Sequence, residues 1–196
     1  MRFRNFGFAI LAAMLLPFTA APALAQGKIE APDGDWIHSA TGTVLPQTAA
    51  GFRRMQVYEF DADGRNVGSN YHMRTGESAV TVTVYLYPSE AGKSCEDEFR
   101  DVVARISKYK GAKVTKVGPI SVPWIGPISS GYHARLALPE GAVREGTSAA
   151  LSDGFLYCPA NTGWRVKYRA TWFGAEETFP DVGPLLRSIK WAPQLK

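Results

Sequence analysis

Apolar and polar residues alternate most regularly between Ala79 and Tyr87. Val80, Val82, Val84 and Leu86 fall on one side, and Thr81, Thr83, Tyr85 and Tyr87 on the other. A period of two in β-branched and aromatic residues predicts a half-buried strand, which Pro88 ends. Upstream, Met55–Phe60 and Val67–Met73 read as strands joined by a turn over Asp61–Asn66, because Asp63-Gly64 is a strong hairpin signal. Residues 74–78 form the next turn. Downstream the period changes. Cys95, Phe99, Val102, Val103, Ile106 and Tyr109 recur at helical spacing, with Arg100, Asp101, Arg105 and Lys108 on the opposite side. Ser94 suits the N-cap, Glu96, Asp97 and Glu98 suit the first turn, and Gly111 is the natural stop.

Four more strand-like runs follow, near 112–122, 128–139, 146–158 and 163–173. Gly126-Pro127, Pro139-Glu140-Gly141 and Asn161-Thr162-Gly163 separate them, so consecutive pairing predicts an antiparallel meander. A last helix is expected around Pro180–Lys190, with Val182, Leu185, Leu186 and Ile189 inward and Pro193 limiting its length. Residues 26–50 read as an irregular lead-in with one short strand at Trp36-Ile37. The expected fold class is α+β: an antiparallel β-sheet meander, with one long amphipathic helix and a short C-terminal helix packed on it.

The first residues change the picture from fold to destination. Arg2 and Arg4 precede an apolar run from Phe6 to Leu16, Pro17 breaks it, and Ala23-Leu24-Ala25 is a small-x-small cleavage signal. This is the layout of a secretory signal peptide over residues 1–25, with cleavage before Gln26. The apolar run is short for a membrane span. Residues 26–196 are then a single exported globular domain, periplasmic or secreted, with no transmembrane segment in the mature chain. Without Arg2 and Arg4 the formal charge falls from +4 to +2, too weak a balance to argue for nucleic acid. The two cysteines, Cys95 and Cys158, form an even pair in an oxidising compartment and are expected to be disulfide-bonded. Cys95 lies on the buried helical stripe, which supports pairing with a core-facing Cys158.

Several motifs look chemical and dissolve on inspection. Ala91-Gly92-Lys93-Ser94 sits between a strand and a helix, as a phosphate loop would, but the position five residues before Gly92 is Tyr87 and not glycine. A cap and a turn explain the same residues. Asp61-Ala62-Asp63-Gly64 hints at calcium, yet Asn66 and His72 stand where an EF-hand needs glycine and glutamate. His38, His72 and His133 form no local metal pair. There is no G-x-S-x-G elbow. No metal, cofactor or catalytic residue is therefore assigned.

One pattern is less bland. Between Trp164 and Phe173, Arg165, Lys167 and Arg169 share one face, opposite Trp164, Val166, Tyr168, Ala170 and Trp172. His133 and Arg135 share a polar face on the run 131–138. Were these strands neighbours with matching faces, five basic groups would form one patch for phosphate head groups, acidic polysaccharide or an acidic partner. A solvated sheet face accounts for the same pattern. Tyr71, Tyr85, Tyr87, Tyr132, Tyr157 and Trp124 add aromatic surface suited to an interface.

The order of elements — a hairpin, the strand AVTVTVYLYP, a helix, a meander with GYHARLAL and GWRVKYRATW, and a terminal LLRSIKW — resembles bacterial envelope proteins of the Mog1/PsbP-like (DcrB-like) fold over roughly residues 50–192. The resemblance rests on arrangement, and implies an α/β/α fold and an accessory or binding role. It carries no catalytic motif to transfer. The expected function is a non-enzymatic envelope accessory protein that binds an unknown partner protein or anionic ligand. The alternative is a periplasmic hydrolase whose site is assembled from dispersed residues including His133. A histidine bonded to both a nucleophile and a carboxylate would mark the hydrolase.

Overall fold

The computed structural model describes residues 27–29, 33–120 and 128–195. The expected signal peptide over residues 1–25, Trp124 and Gly126-Pro127 lie outside the described residues. In chain order the strands are β1 (Gly27–Ile29), β2 (Trp36–Ile37), β3 (Val44–Leu45), β4 (Thr48–Ala49), β5 (Phe52–Glu59), β6 (Val67–Thr75) and β7 (Ser78–Pro88). Helix α1 (Cys95–Ile106) comes next, then β8 (Lys113–Pro119), β9 (Ile128–Leu138), β10 (Ala150–Pro159), β11 (Trp164–Phe173) and helix α2 (Gly183–Ser188).

One antiparallel sheet runs β1-β5-β6-β7-β11-β10-β9-β8, with β4 added to β5. Two meanders, β5-β6-β7 and β8-β9-β10-β11, meet where β7 pairs with β11 from Trp164↔Pro88 to Phe173↔Ala79. Helix α1 is the crossover that carries the chain to the far edge. Asp61 closes the β5–β6 turn by accepting from the backbone N–H groups of Arg65 (2.9 Å) and Asn66 (3.1 Å), so this carboxylate serves the turn.

This architecture corrects the expected class. The described residues are predominantly β, a large antiparallel sheet with two short α-helices, and not an α+β domain built around one long amphipathic helix. Helix α1 has 12 residues and α2 has six. The spacing from Ile106 to Tyr109 fits an α-helix and a tighter turn equally well. Here it belongs to turns: Tyr109 N–H donates to the Ile106 carbonyl and Ala112 N–H to the Tyr109 carbonyl. Gly111, at φ +76°, completes the exit.

Helix α1 starts as its sequence demands. Ser94 accepts from the Asp97 N–H at 3.1 Å and Asp97 accepts from the Ser94 N–H at 3.2 Å, a capping box contributing about 1 kcal/mol. Its inner face buries Phe99, Val102 and Ile106, each contributing roughly 1.5–3 kcal/mol. They pack on Ala134, Leu136, Leu138, Ala150 and Leu156 of β9 and β10. Gly154 lets the helix approach, since a Cβ there would lie 2.8 Å from Ile106 Cδ1. The Cys95–Cys158 disulfide is present and ties the start of α1 to β10.

The second face of the sheet carries the larger core. Val80, Val82, Val84, Leu86, Val166, Ala170 and Trp172 are covered by Leu185, Leu186, Ile189, Trp191 and Leu195 of the C-terminal segment. Both sides of the central strands are thus used, but α1 covers only the β9–β10 half of its own face. The β5-β6-β7-β11 half beside it is left open.

Candidate functional site

The open half of the helix face is a groove. Its floor follows from strand register. Tyr58 stands opposite Gly68, Gly68 opposite Tyr85, Tyr85 opposite Lys167, and Lys167 opposite Leu156. Gly68 has a steric reason: a Cβ there would meet Phe60 Cε2 at 2.9 Å and Tyr85 Cδ1 at 3.2 Å. The missing side chain lets Phe60 fold over β6 against Tyr85, centroids 6.0 Å apart, with Tyr58 stacked behind at 6.2 Å. Val102, Arg105, Ile106, Lys108 and Tyr109 form the opposing wall. The space enclosed is about 650 Å³, and Arg105, Lys108, Lys167 and Arg169 line it without any acidic residue.

Lys167 is the centre of this chamber. Its Nζ lies 3.8 Å from the centroid of Tyr85 and 5.6 Å from that of Tyr87. Among the described residues it has no carboxylate partner. Desolvation, then Arg105 and Arg169, push its pKa down to about 8. A lysine held among aromatic rings and beside two guanidinium groups is a cation waiting for a counter-charge. Burial likewise raises the pKa of Tyr85.

Its neighbours on β11 are employed differently. Arg165 donates through Nε to Glu98 of α1 at 3.0 Å, and both side chains are nearly sequestered. Desolvation raises the Glu98 pKa in spite of Arg165. Arg165 is thus a tie between helix and sheet. Arg169 donates through Nε to Ser152 Oγ (2.8 Å) and through Nη1 to Tyr109 Oη (2.9 Å), and lies over the Tyr109 ring at 4.7 Å. Nη2 of Arg169 has no hydrogen-bond partner among the described residues and is left to the groove.

The sequence expectation of three basic residues on one face of β11, opposite buried apolar neighbours, holds in the alternating burial of the strand. All three are half-buried and not freely solvated. The single five-membered patch does not form. β10 separates β9 from β11, and His133 and Arg135 project from the opposite face of the sheet. His133 stacks on Phe155 at 4.3 Å, and Phe155 on Tyr168 at 4.2 Å. Arg135 grips Asp153 through Nε and Nη2, each at 2.8 Å. Burial works against ionisation of Asp153, yet Arg135 and His133 together hold its pKa below the usual carboxylate range. His133 Nε2 stands 3.3 Å from Asp153 Oδ1. Among the described residues no hydroxyl or thiol makes a hydrogen bond to His133.

The weak motifs also find their places. Lys93 of the Gly-Lys-Ser segment pairs with Glu90 and Asp101, both at 2.8 Å, and Ser94 is the cap. Tyr58, Phe60, Asn70, Arg105 and Tyr109 are groove residues that the one-dimensional reading did not single out for a site. The signal for Tyr58 and Phe60 was the hairpin itself, whose register brings β5 beside the face of β7 that carries Tyr85.

A second chamber of about 640 Å³ continues the groove. It shares Thr83, Tyr85, Tyr109 and Arg169 with the first. Arg74, Glu77, Thr81, Arg144, Thr147, Ser148 and Thr171 are among its lining. Among the described residues no group of three or more His, Cys, Asp or Glu is arranged to hold a metal, and no helix is long and apolar enough to cross a membrane. No protein-family model matches the chain, and neither does any curated protein.

Proposed function

We propose that this chain is a non-enzymatic accessory protein of the cell envelope that binds an anionic ligand in the groove between α1 and the β5-β6-β7-β11 half of the sheet. The observation that carries the reading is Lys167: a largely sequestered amine, unpaired with any carboxylate among the described residues, in a chamber lined by four basic and no acidic side chains. Water alone solvates such an amine poorly, and an incoming carboxylate or phosphate would restore the lost stabilisation. Tyr58, Phe60 and Tyr85 give that anion an aromatic wall. Export belongs to the same proposal. The N-terminal pattern supports cleavage before Gln26, and the disulfide fits an oxidising compartment. The resemblance to Mog1/PsbP-like envelope proteins points to the same accessory role.

The hydrolase reading has a His133–Asp153 contact but no nucleophile beside it among the described residues, so the geometry favours binding.

Thermal-shift measurements with phosphate, citrate, dodecanoate and anionic vesicles test the binding reading. At least one anion should raise the melting temperature of the native protein, with little effect on Lys167→Met. An unresponsive native protein contradicts the reading. Mass spectrometry of the protein from an envelope fraction should give an N-terminus at Gln26. A chain retaining Met1 contradicts export.

A further inference from the structure

We infer that the ligand is an acidic oligosaccharide of the uronate type, laid along both chambers with carboxylates on Lys167 and Arg169. The inference rests on the anion-binding reading and names its ligand class. Three observations carry it.

The first is the lining. Hydroxyl and amide groups run the length of the floor beside apolar ones: Asn70, Thr83, Thr81 and Thr171, then Thr147 and Ser148 at the rim, with Val102, Val143 and Phe173 among them. Thr83 already donates to Asn70 Oδ1 at 2.7 Å, so these groups are oriented. Such a surface suits a polyhydroxylated chain. The second is the aromatic wall of Tyr58, Phe60 and Tyr85: Lys167 occupies one face of Tyr85, and the rest of the wall gives the C–H groups of pyranose units an apolar surface.

The third is the spacing and direction of charge. Lys167 and Arg169 are two residues apart on one strand face, hence about 7 Å apart along it. Arg169 keeps Nη2 for a carboxylate while Ser152 and Tyr109 fix the rest of its guanidinium. Beyond it stand Arg74 and Arg144, with Glu77 as the acid among them. On the other side of Lys167 the groove narrows toward Glu90, Glu98 and Asp101. That end is narrow and its carboxylates are already paired with Lys93 and Arg165, so an acidic chain runs the other way, across Arg169 into the second chamber. A single phosphate would use only one of these cations.

Calorimetric titration of the native protein decides the matter. The probes are tetragalacturonate, monomeric galacturonate, dodecanoate and a hexaglutamate peptide. Tetragalacturonate should bind at least tenfold more tightly than the monomer. Lys167→Met should weaken both at least tenfold. Arg144→Gln, at an exposed turn position that leaves the fold intact, should weaken only the tetramer, by several-fold. Equal affinity for monomer and tetramer overturns the two-chamber assignment. Binding of dodecanoate or hexaglutamate without tetragalacturonate overturns the sugar and leaves the anion site standing. Silence from all four probes removes both.

Discussion

Lys167 concentrates the physical argument in one side chain. In the unfolded chain its amine titrates near 10.5, and in the folded protein near 8. Between those values the unfolded state holds one more proton. Stability contributed by this group therefore rises with pH across the window, by up to about 1 kcal/mol per unit once solvent access is allowed for. Burial raises the Tyr71 pKa to about 12, and such tyrosines reverse the slope above about pH 10. Urea unfolding between pH 8 and 10 should thus show stability increasing for the native protein and a flatter curve for Lys167→Met. Parallel curves would mean that Lys167 is not desolvated. Arg165 should behave in the opposite way. Arg165→Gln leaves Glu98 buried and unpaired, and should cost about 3 kcal/mol by urea unfolding at pH 7. Gly68→Ala pushes the Phe60 ring out of contact with Tyr85. It should weaken anion binding while the melting temperature falls only modestly.

The sheet and α1 define the groove together, and the disulfide fixes their relation. Closing a loop across 63 positions contributes about 4 kcal/mol in the chain-entropy account. Replacing both cysteines by serine should lower stability by roughly that amount, read from denaturant midpoints. It should also loosen the Arg105–Tyr109 wall and reduce ligand affinity; unchanged affinity would show that α1 docks without the tether. Much of this layer was legible. The alternation from Val80 to Leu86 set both faces of β7, and the Ser94 cap set the start of α1. The end of α1 was not legible, because an apolar residue three positions on, as Tyr109 is from Ile106, serves helix and turn alike. The positions of His133 and Arg135 were not legible either. Their face depends on the insertion of β10 between β9 and β11, and period-two alternation within one strand carries no information about its neighbour.

The molecule as a whole is a sheet with unequal cover. The C-terminal segment seals one face with Leu185, Leu186, Trp191 and Leu195. On the other face α1 stops after 12 residues and leaves half the sheet uncovered. The fold class and the groove turn on the same short helix. A helix extended to Gly111 would suggest a layer covering the sheet, whereas the short helix makes a wall beside an open floor. An exposed β-face is ordinarily dotted with alternating charges. This one gathers Arg105, Lys108, Lys167 and Arg169 around a cavity without an acid. The account stands on whether that cavity receives an anion at Lys167. Side-chain NMR of the Lys167 amine, recorded from pH 6 to 11, answers it with and without phosphate, dodecanoate and tetragalacturonate. The account predicts a midpoint near 8 in the free protein that moves upward when tetragalacturonate is added. A midpoint that none of the three anions shifts would contradict it.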